Sequence, residues 1–318
     1  MILVTGANGY IGRNLSSELN SRNIYFVGID NFSTTKKRNI DGSAEDRMIS
    51  CDVLEAAAIV EIIEKYKVTS VVHLAGLKSV RESESESEKY FINNVKGTES
   101  LLKAMTITGV KNIVFASTAG VYKYMENKRK YKEESEISPA SVYGQTKVEC
   151  EELLSKFVKQ NLNSSAVALR FFNVGGAMGA HLIEENGENV FPAILAAIRG
   201  EKSFQIFGLD YQTQDGSAIR DYIHIKDLTE AIILCSEKQS NGSLKNFKVF
   251  NLGTSHGTSV LELVTAFEKI FAVKIDIEIT PRRDGDVPCL LADAGLALDH
   301  LGWRPAKDLL DIARSYLN

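Results

Sequence analysis

The chain has 318 residues, 44% hydrophobic and 25% charged, with a formal net charge of -4, the profile of a globular protein with room for one large domain or two modest ones. A short basic run such as Lys36-Lys37-Arg38 is no match for the stripe of a nucleic-acid binder, and no apolar stretch reaches the length of a membrane span. Four scattered cysteines without a Cys-x-x-Cys pair, and five histidines without ligand spacing, predict free buried thiols and no metal.

Residues 1-4 read as a buried strand running straight into a glycine loop, which leaves no room for a signal or transit peptide and predicts a cytoplasmic protein. Further short apolar runs at 24-29, 46-50, 70-74, 112-116 and 165-170 alternate with amphipathic stretches near 10-20, 54-66, 88-108 and 141-161. Such alternation predicts an α/β fold, a doubly wound parallel sheet with helices on both faces, over residues 1-172. The serine/glutamate run at 82-88 is expected to open the helix beginning near Glu88, where acidic residues favour the positive end of the dipole. Beyond Asn173 the alternation lapses and glycine-bearing loops multiply, so 173-318 is expected to form mainly a smaller C-terminal α/β substrate-binding domain. The strand-like segments 222-225 and 249-252 predict that the chain returns to the main sheet near 220-255 before it finishes.

Directly after the first strand stands Thr5-Gly-Ala-Asn-Gly-Tyr-Ile-Gly12. Gly6 permits a tight turn, Gly9 lets backbone approach a pyrophosphate, Gly12 lets the helix pack on the strand, and Tyr10 and Ile11 open a helix whose first amides face the phosphates. The second strand ends at Asp30, beside Asn31, where a carboxylate can accept from both adenosine ribose hydroxyls and would repel a 2'-phosphate. A Rossmann-like site for NAD rather than NADP follows, although Lys36 to Arg38 lie downstream as cations for that phosphate. Asp52, followed by Val53, is placed either to touch the adenine or to cap the next helix.

Tyr143 and Lys147 are four residues apart and share one helix face. A tyrosine base near neutrality needs its pKa lowered by about three units, about 4 kcal/mol, and a nearby ammonium and the positive nicotinamide ring of NAD together supply it. The pair follows Ser141-Val142 at a helix start and comes after a strand ending Phe115-Ala-Ser-Thr118-Ala119. A Ser/Thr-Tyr-Lys constellation of this kind removes the proton from an alcohol while hydride leaves its carbon.

Together these features resemble the short-chain dehydrogenase/reductase superfamily. Further segments narrow the resemblance to the UDP-glucose 4-epimerase family: His73-Leu-Ala-Gly-Leu-Lys-Ser-Val80, Asn93-Asn-Val-Lys-Gly-Thr98, Arg170-Phe-Phe-Asn-Val-Gly-Gly-Ala177, Arg220-Asp-Tyr-Ile-His-Ile-Lys-Asp-Leu228 and Arg282-Arg-Asp-Gly-Asp286. The resemblance implies Tyr143 as catalytic base, Lys147 as the residue that tunes it and binds the nicotinamide ribose, and Thr118 as proton relay. It implies Leu74, Ala75, Gly76 and Lys78 along the cofactor phosphates and Asn94 as a further cofactor contact. Phe172 is implied at cofactor and sugar alike, and Lys78 and Thr118 also face the sugar. For the nucleotide sugar it implies Asn173, Asn189, Val190, Gln205, Ile206, Phe207, Arg220, Arg283 and Asp286. The arginine forks match diphosphate oxygens and Asp286 can accept from uridine ribose hydroxyls. The implied reaction is 4-epimerisation of a UDP-hexose through a 4-keto sugar, and the implied assembly is a homodimer pairing helices near 90-108 and 142-160 in a four-helix bundle.

Departures from the family pattern bear on specificity. Thr118 replaces the commoner serine, Lys123 follows Tyr122 where glycine is usual, and Val174-Gly175 replaces Pro-Val. Leu290 stands where a large aromatic excludes N-acetylated sugars and a smaller residue admits them, so UDP-glucose alone and UDP-glucose with UDP-N-acetylglucosamine both stay open. A nucleotide-sugar 4,6-dehydratase would carry an acidic pair where this chain has Ala119-Gly120; a UDP-uronate or UDP-pentose epimerase is the closer alternative. A dinucleotide-sensing regulator is expected to lack the Tyr-Lys pair that is present here.

Overall fold

The computed structural model describes residues 1-35, 47-125, 130-184, 189-283 and 286-317, and the Lys36-Arg38 run lies outside the described residues. In chain order the strands are β1 (Ile2–Thr5), β2 (Phe26–Asp30), β3 (Met48–Ser50), β4 (Ser70–His73), β5 (Asn112–Thr118), β6 (Lys130–Tyr131), β7 (Ser165–Phe171), β8 (Asn173–Gly175), β9 (Phe204–Phe207), β10 (Ile219–Arg220), β11 (Tyr222–His224), β12 (Asn246–Leu252), β13 (Thr258–Ser259), β14 (Ile277–Thr280) and β15 (Cys289–Ala292). The helices are α1 (Tyr10–Ser21), α2 (Ala56–Tyr66), α3 (Val80–Ser85), α4 (Ser87–Tyr90), α5 (Gly97–Thr108), α6 (Val142–Gln160), α7 (Val190–Ile198), α8 (Ile225–Ser240), α9 (Val260–Phe271), α10 (Gly295–Leu301) and α11 (Leu309–Arg314). A π-helical stretch, Phe91–Lys96, joins α4 to α5.

The chain divides into two compact units, 1-121 with 141-170 and 229-250, and 122-140 with 171-228 and 251-318. The first is built on a seven-stranded sheet in the order β12-β7-β5-β4-β1-β2-β3, and the four pairings from β3 to β5 are parallel. Every residue of β4 and of β7 is buried, as expected of strands covered on both faces. Leu3, Ile29, Val71 and Phe115 from the strands pack with Ile59 and Ile63 of α2, Leu101 and Met105 of α5, and Leu154 and Phe157 of α6 in one core. The strand order reverses between β1 and β4, which opens a crevice at their carboxyl ends, the binding place of doubly wound sheets.

Two sequence expectations are corrected here. Residues 222-224 do not rejoin the main sheet: β11 pairs in parallel with β8, Tyr222 opposite Asn173, in a separate two-stranded sheet, and it is β12 that enters the main sheet. An apolar run identifies buried strand material but not its partner. The serine/glutamate run does not simply open the helix near Glu88. Its first half is α3, capped by Ser79, whose Oγ accepts from Glu82 N.

In the second unit β10 lies between β13 and β15 in one small sheet, and β9 pairs with β14 in another. Its core gathers Phe191 of α7, Leu263 and Phe267 of α9, Ile312 of α11, Ile206, Tyr222 and Tyr316. The ring of Phe191 meets Tyr222 edge-on at 5.6 Å and stacks on Tyr316 at 6.1 Å. A capping box between Ser259 and Glu262 starts α9.

Candidate active site

The first unit holds the catalytic candidates and the cofactor candidates other than Phe172. Gly6 follows β1 at φ +66°, and a Cβ there would sit 2.6 Å from Ala75 N, so only glycine takes the turn and lets the chain after β4 close on it. A Cβ at Gly12 would stand 2.2 Å from Gly6 O. Tyr10 and Ile11 begin α1, whose N-cap Gly9 offers no side-chain cap, the arrangement that an anion completes. Asp30 Oδ2 accepts from Asn8 N at 3.0 Å and Oδ1 from Phe32 N at 2.8 Å. Burial pushes its carboxyl above the ordinary value, against those two amides. Asn31 Nδ2 donates to Asp52 Oδ2 at 2.7 Å, while Asp52 Oδ1 accepts from Leu54 N at 2.9 Å. Asp52 therefore does not cap α2, whose N-cap is Glu55; it ties the end of β2 to the chain after β3. Gly6, Gly9, Asp30, Asn31, Val53, Leu74, Ala75 and Gly76 line one groove. The glycine cradle, the uncapped helix start and the carboxylate at the end of β2 fit a dinucleotide.

Helix α6 carries the chemistry. Its first three amides are all held by side chains: Val142 N by Glu84 Oε1 at 2.9 Å, Tyr143 N by Ser83 Oγ at 3.1 Å and Gly144 N by Ser141 Oγ at 3.1 Å. Tyr143 is half-buried and Lys147 buried. Lys147 Nζ donates to Ala116 O at 2.8 Å and lies 4.6 Å from the centre of the Phe115 ring and 5.8 Å from that of Tyr143. Burial holds its pKa below the ordinary lysine value, against the pull of Cys150 and Glu151. Thr118 ends β5, and its Oγ1 accepts from Gly120 N at 3.1 Å.

Asn94 lies in the π-helical stretch with its amide fully engaged: Oδ1 accepts from Leu77 N at 2.8 Å, and Nδ2 donates to Leu77 O at 3.1 Å and Thr146 Oγ1 at 3.0 Å. It thus ties the Leu74–Lys78 loop to the helix of Tyr143, and Lys78 itself is exposed on that loop. Sequence reasoning missed His73, a buried link between loop and helix. Ala75 N donates to Thr5 Oγ1 at 3.2 Å, Thr5 Oγ1 lies 2.7 Å from His73 Nδ1, and His73 Nε2 lies 3.1 Å from Thr98 Oγ1. Burial pushes its imidazole down to about 3, so the ring is neutral. The sequence signal was there, since His73 opens a quoted segment, but nothing in it named the partners.

The second unit gathers the nucleotide-sugar candidates. Arg220 on β10 places Nη2 3.0 Å from Asp286 Oδ1 and donates Nη1 to Val287 O at 2.8 Å. The Arg283 guanidinium carbon stands 3.6 Å over the ring of Phe207. Leu290, buried on β15, is in register with Arg220. Asn189 caps α7 by backbone alone and donates its amide to the buried Glu184 at 3.1 and 3.0 Å, and Val190 follows as the first residue of α7. Asn173 N donates to Asp221 O at 3.0 Å, and Phe172 is buried beside it. On β9, Gln205 is exposed and donates to Glu278 at 3.1 Å; Ile206 is fully buried, so its backbone is what it can offer a ligand. Among the described residues no group of three His, Cys, Asp or Glu side chains is set to hold a metal ion, and no helix is long and apolar enough to cross a membrane.

Fold and site together are those of an NAD-dependent enzyme of the extended short-chain dehydrogenase/reductase class. Residues 2–253 match the model of the NAD dependent epimerase/dehydratase family. The chain is 35% identical over 331 residues to a UDP-glucose 4-epimerase of Erwinia amylovora, covering 100% of this chain and 96% of that protein. Among solved structures, it is similar to a UDP-glucose 4-epimerase of Stenotrophomonas maltophila with bound NAD and formylated UDP-arabinopyranose, at TM-score 0.93, 34% identity, and coverage of 99% of this chain and 96% of that one. The enzyme of Bifidobacterium longum in complex with NAD+ and UDP gives a TM-score of 0.90 at 32% identity, again covering 99% and 96%. The chain belongs to the UDP-glucose 4-epimerase family.

Proposed function

We propose that the enzyme interconverts the C4 epimers of a UDP-hexose, UDP-glucose and UDP-galactose, through a 4-keto sugar. The observation that carries this reading is the placing of Tyr143 and Lys147 on successive turns of α6, with the lysine ammonium held 2.8 Å from Ala116 O beside the dinucleotide groove. Tyr143, with the Lys147 ammonium 5.8 Å from its ring, takes the proton of the sugar 4-hydroxyl, and Thr118 relays it. The glycine cradle and Asp30 would hold NAD, which would supply a hydride acceptor and donor for C4. In the second unit, Arg220 and Arg283 hold the diphosphate and Asp286 the uridine ribose. With the nucleotide so anchored, the keto ring turns over and the returning hydride meets its opposite face. The reaction consumes no cofactor, which favours tight retention of NAD across turnovers.

Leu290 governs whether an N-acetyl group is admitted: a leucine leaves more room than a large aromatic ring. A pentose reading stands second, favoured by the arabinopyranose nucleotide held by the Stenotrophomonas enzyme. The test is incubation of the purified protein, with no added cofactor, with UDP-galactose, UDP-N-acetylgalactosamine and UDP-arabinopyranose in separate reactions, followed by chromatography of the products. Conversion of UDP-galactose supports the hexose reading, and the relative rates rank the three sugars. Conversion of the pentose alone overturns the hexose reading in favour of the second. We further propose a cytoplasmic homodimer that pairs α5 and α6 with their counterparts.

A further inference from the structure

Behind Lys147 lies an ion pair that the proposed reaction leaves without a part. Glu151, one turn further along α6, accepts from Arg170 of β7 in two places, Nε to Oε1 at 3.0 Å and Nη2 to Oε2 at 2.7 Å. The two side chains are 9% and 5% exposed. The same Oε1 also accepts from Ser117 Oγ at 2.6 Å, and Ser117 is itself buried. Ser117 sits on β5 between Ala116, whose carbonyl receives the Lys147 ammonium, and Thr118. The carboxylate thus fixes, from one point, the strand end that carries both groups. A buried ion pair of this kind is weak evidence of stabilisation, because desolvation offsets much of the Coulomb gain, and its cost calls for another return.

We propose that Glu151 is a positioning residue for the hydride-transfer site: clamped by Arg170, it fixes Ser117 and hence Thr118 and the Ala116 carbonyl, and it sets a negative charge one turn along α6 from the buried Lys147. The inference rests on the roles given above to Tyr143, Lys147 and Thr118. The bond to Ser117 sets the strand end that carries Thr118 in register with the helix. The charge acts separately. The groups facing Lys147 are Tyr143, Cys150 and Glu151 on its own helix, neutral His73 from β4, and the Phe115 ring and Ala116 carbonyl from β5. Arg170 from β7 reaches this set through Glu151. Glu151 is therefore the one carboxylate among them.

Two variants separate the two effects, measured on the NAD-loaded enzyme with UDP-galactose. Ser117→Ala removes one hydrogen bond and leaves the ion pair, so it is expected to fold; loss of a hydrogen bond to a charged group predicts a fall in kcat of about tenfold, with KM within twofold and Tm unchanged within a few degrees. Glu151→Gln keeps an acceptor for Ser117 but removes the charge. Without the anion the Lys147 ammonium loses its proton more readily, so the alkaline limb of the pH–rate profile moves to lower pH. A merely structural role lowers Tm in both variants and leaves kcat and the profile where they were, and that result overturns the proposal. If Glu151→Gln does not fold, Ser117→Ala decides alone, wild-type kcat counting against the proposal. Tyr143→Phe, run alongside, tests the underlying reading: full turnover in that variant removes the site assignment itself, whatever the other two show.

Discussion

His73 shows how a residue away from any ligand sets the conditions for the site. Its two ring nitrogens are taken by Thr5 and Thr98, which fixes a neutral ring between the strand that feeds the glycine loop and the helix leading out of the π-helical stretch. Its pKa is pushed down to about 3, against about 6.5 in an unfolded chain. The sign follows from linkage: above about pH 6.5 neither state binds this proton and the contribution to stability is complete. As pH falls toward 3 the unfolded chain takes up a proton that the folded one refuses, and stability declines by up to about 1.4 kcal/mol per pH unit. Urea midpoints measured from pH 7 to 4.5 should therefore fall more steeply in the wild type than in His73→Gln. Equal slopes would show that other groups carry the acid sensitivity.

At the scale of elements, the start of α6 has its first three amides held by side chains. Two of its three amide partners, Ser83 and Glu84, come from α3 and sit some 60 residues before it in sequence, so the serine/glutamate run orients the helix that carries Tyr143. Ser83→Ala frees the amide of Tyr143 itself; loss of a cap predicts about 1 kcal/mol of destabilisation and a lower kcat with NAD content unchanged. A variant that loses stability but keeps wild-type kcat would confine α3 to a structural part. Element scale is also where reading the sequence succeeds and stops. The β1 turn, the carboxylate at Asp30 and the Tyr143–Lys147 spacing were legible because each is a local pattern whose chemistry depends on neighbours within about one turn. The clamp from Glu151 to Ser117, the capping of α6 by α3 and the pairing of β11 with β8 were not, because each joins segments whose only link is the fold. Asp52 falls between the two, since a carboxylate after a strand can equally cap a helix, bond a side chain or face a ligand, and only the structure shows it bonded to Asn31.

At the scale of the whole molecule, the first unit carries the dinucleotide groove with Tyr143, Lys147 and Thr118, and the second the Arg220–Asp286 pair with Phe207 and Arg283. The proposed dimer belongs to this scale, and sedimentation at micromolar concentration should give twice the mass of the 318-residue chain; a single-chain mass would remove the pairing of α5 and α6. The central claim is that hydride leaves C4 of the sugar and returns to the same carbon on the other face without escaping. The measurement that tests it most directly uses UDP-galactose labelled with deuterium at C4, turned over in ordinary water with unlabelled NADH in solution, with the product read by mass spectrometry and NMR. The account predicts UDP-glucose with the deuterium still on C4. Product whose C4 deuterium has been replaced by hydrogen from water or from the added NADH would contradict it.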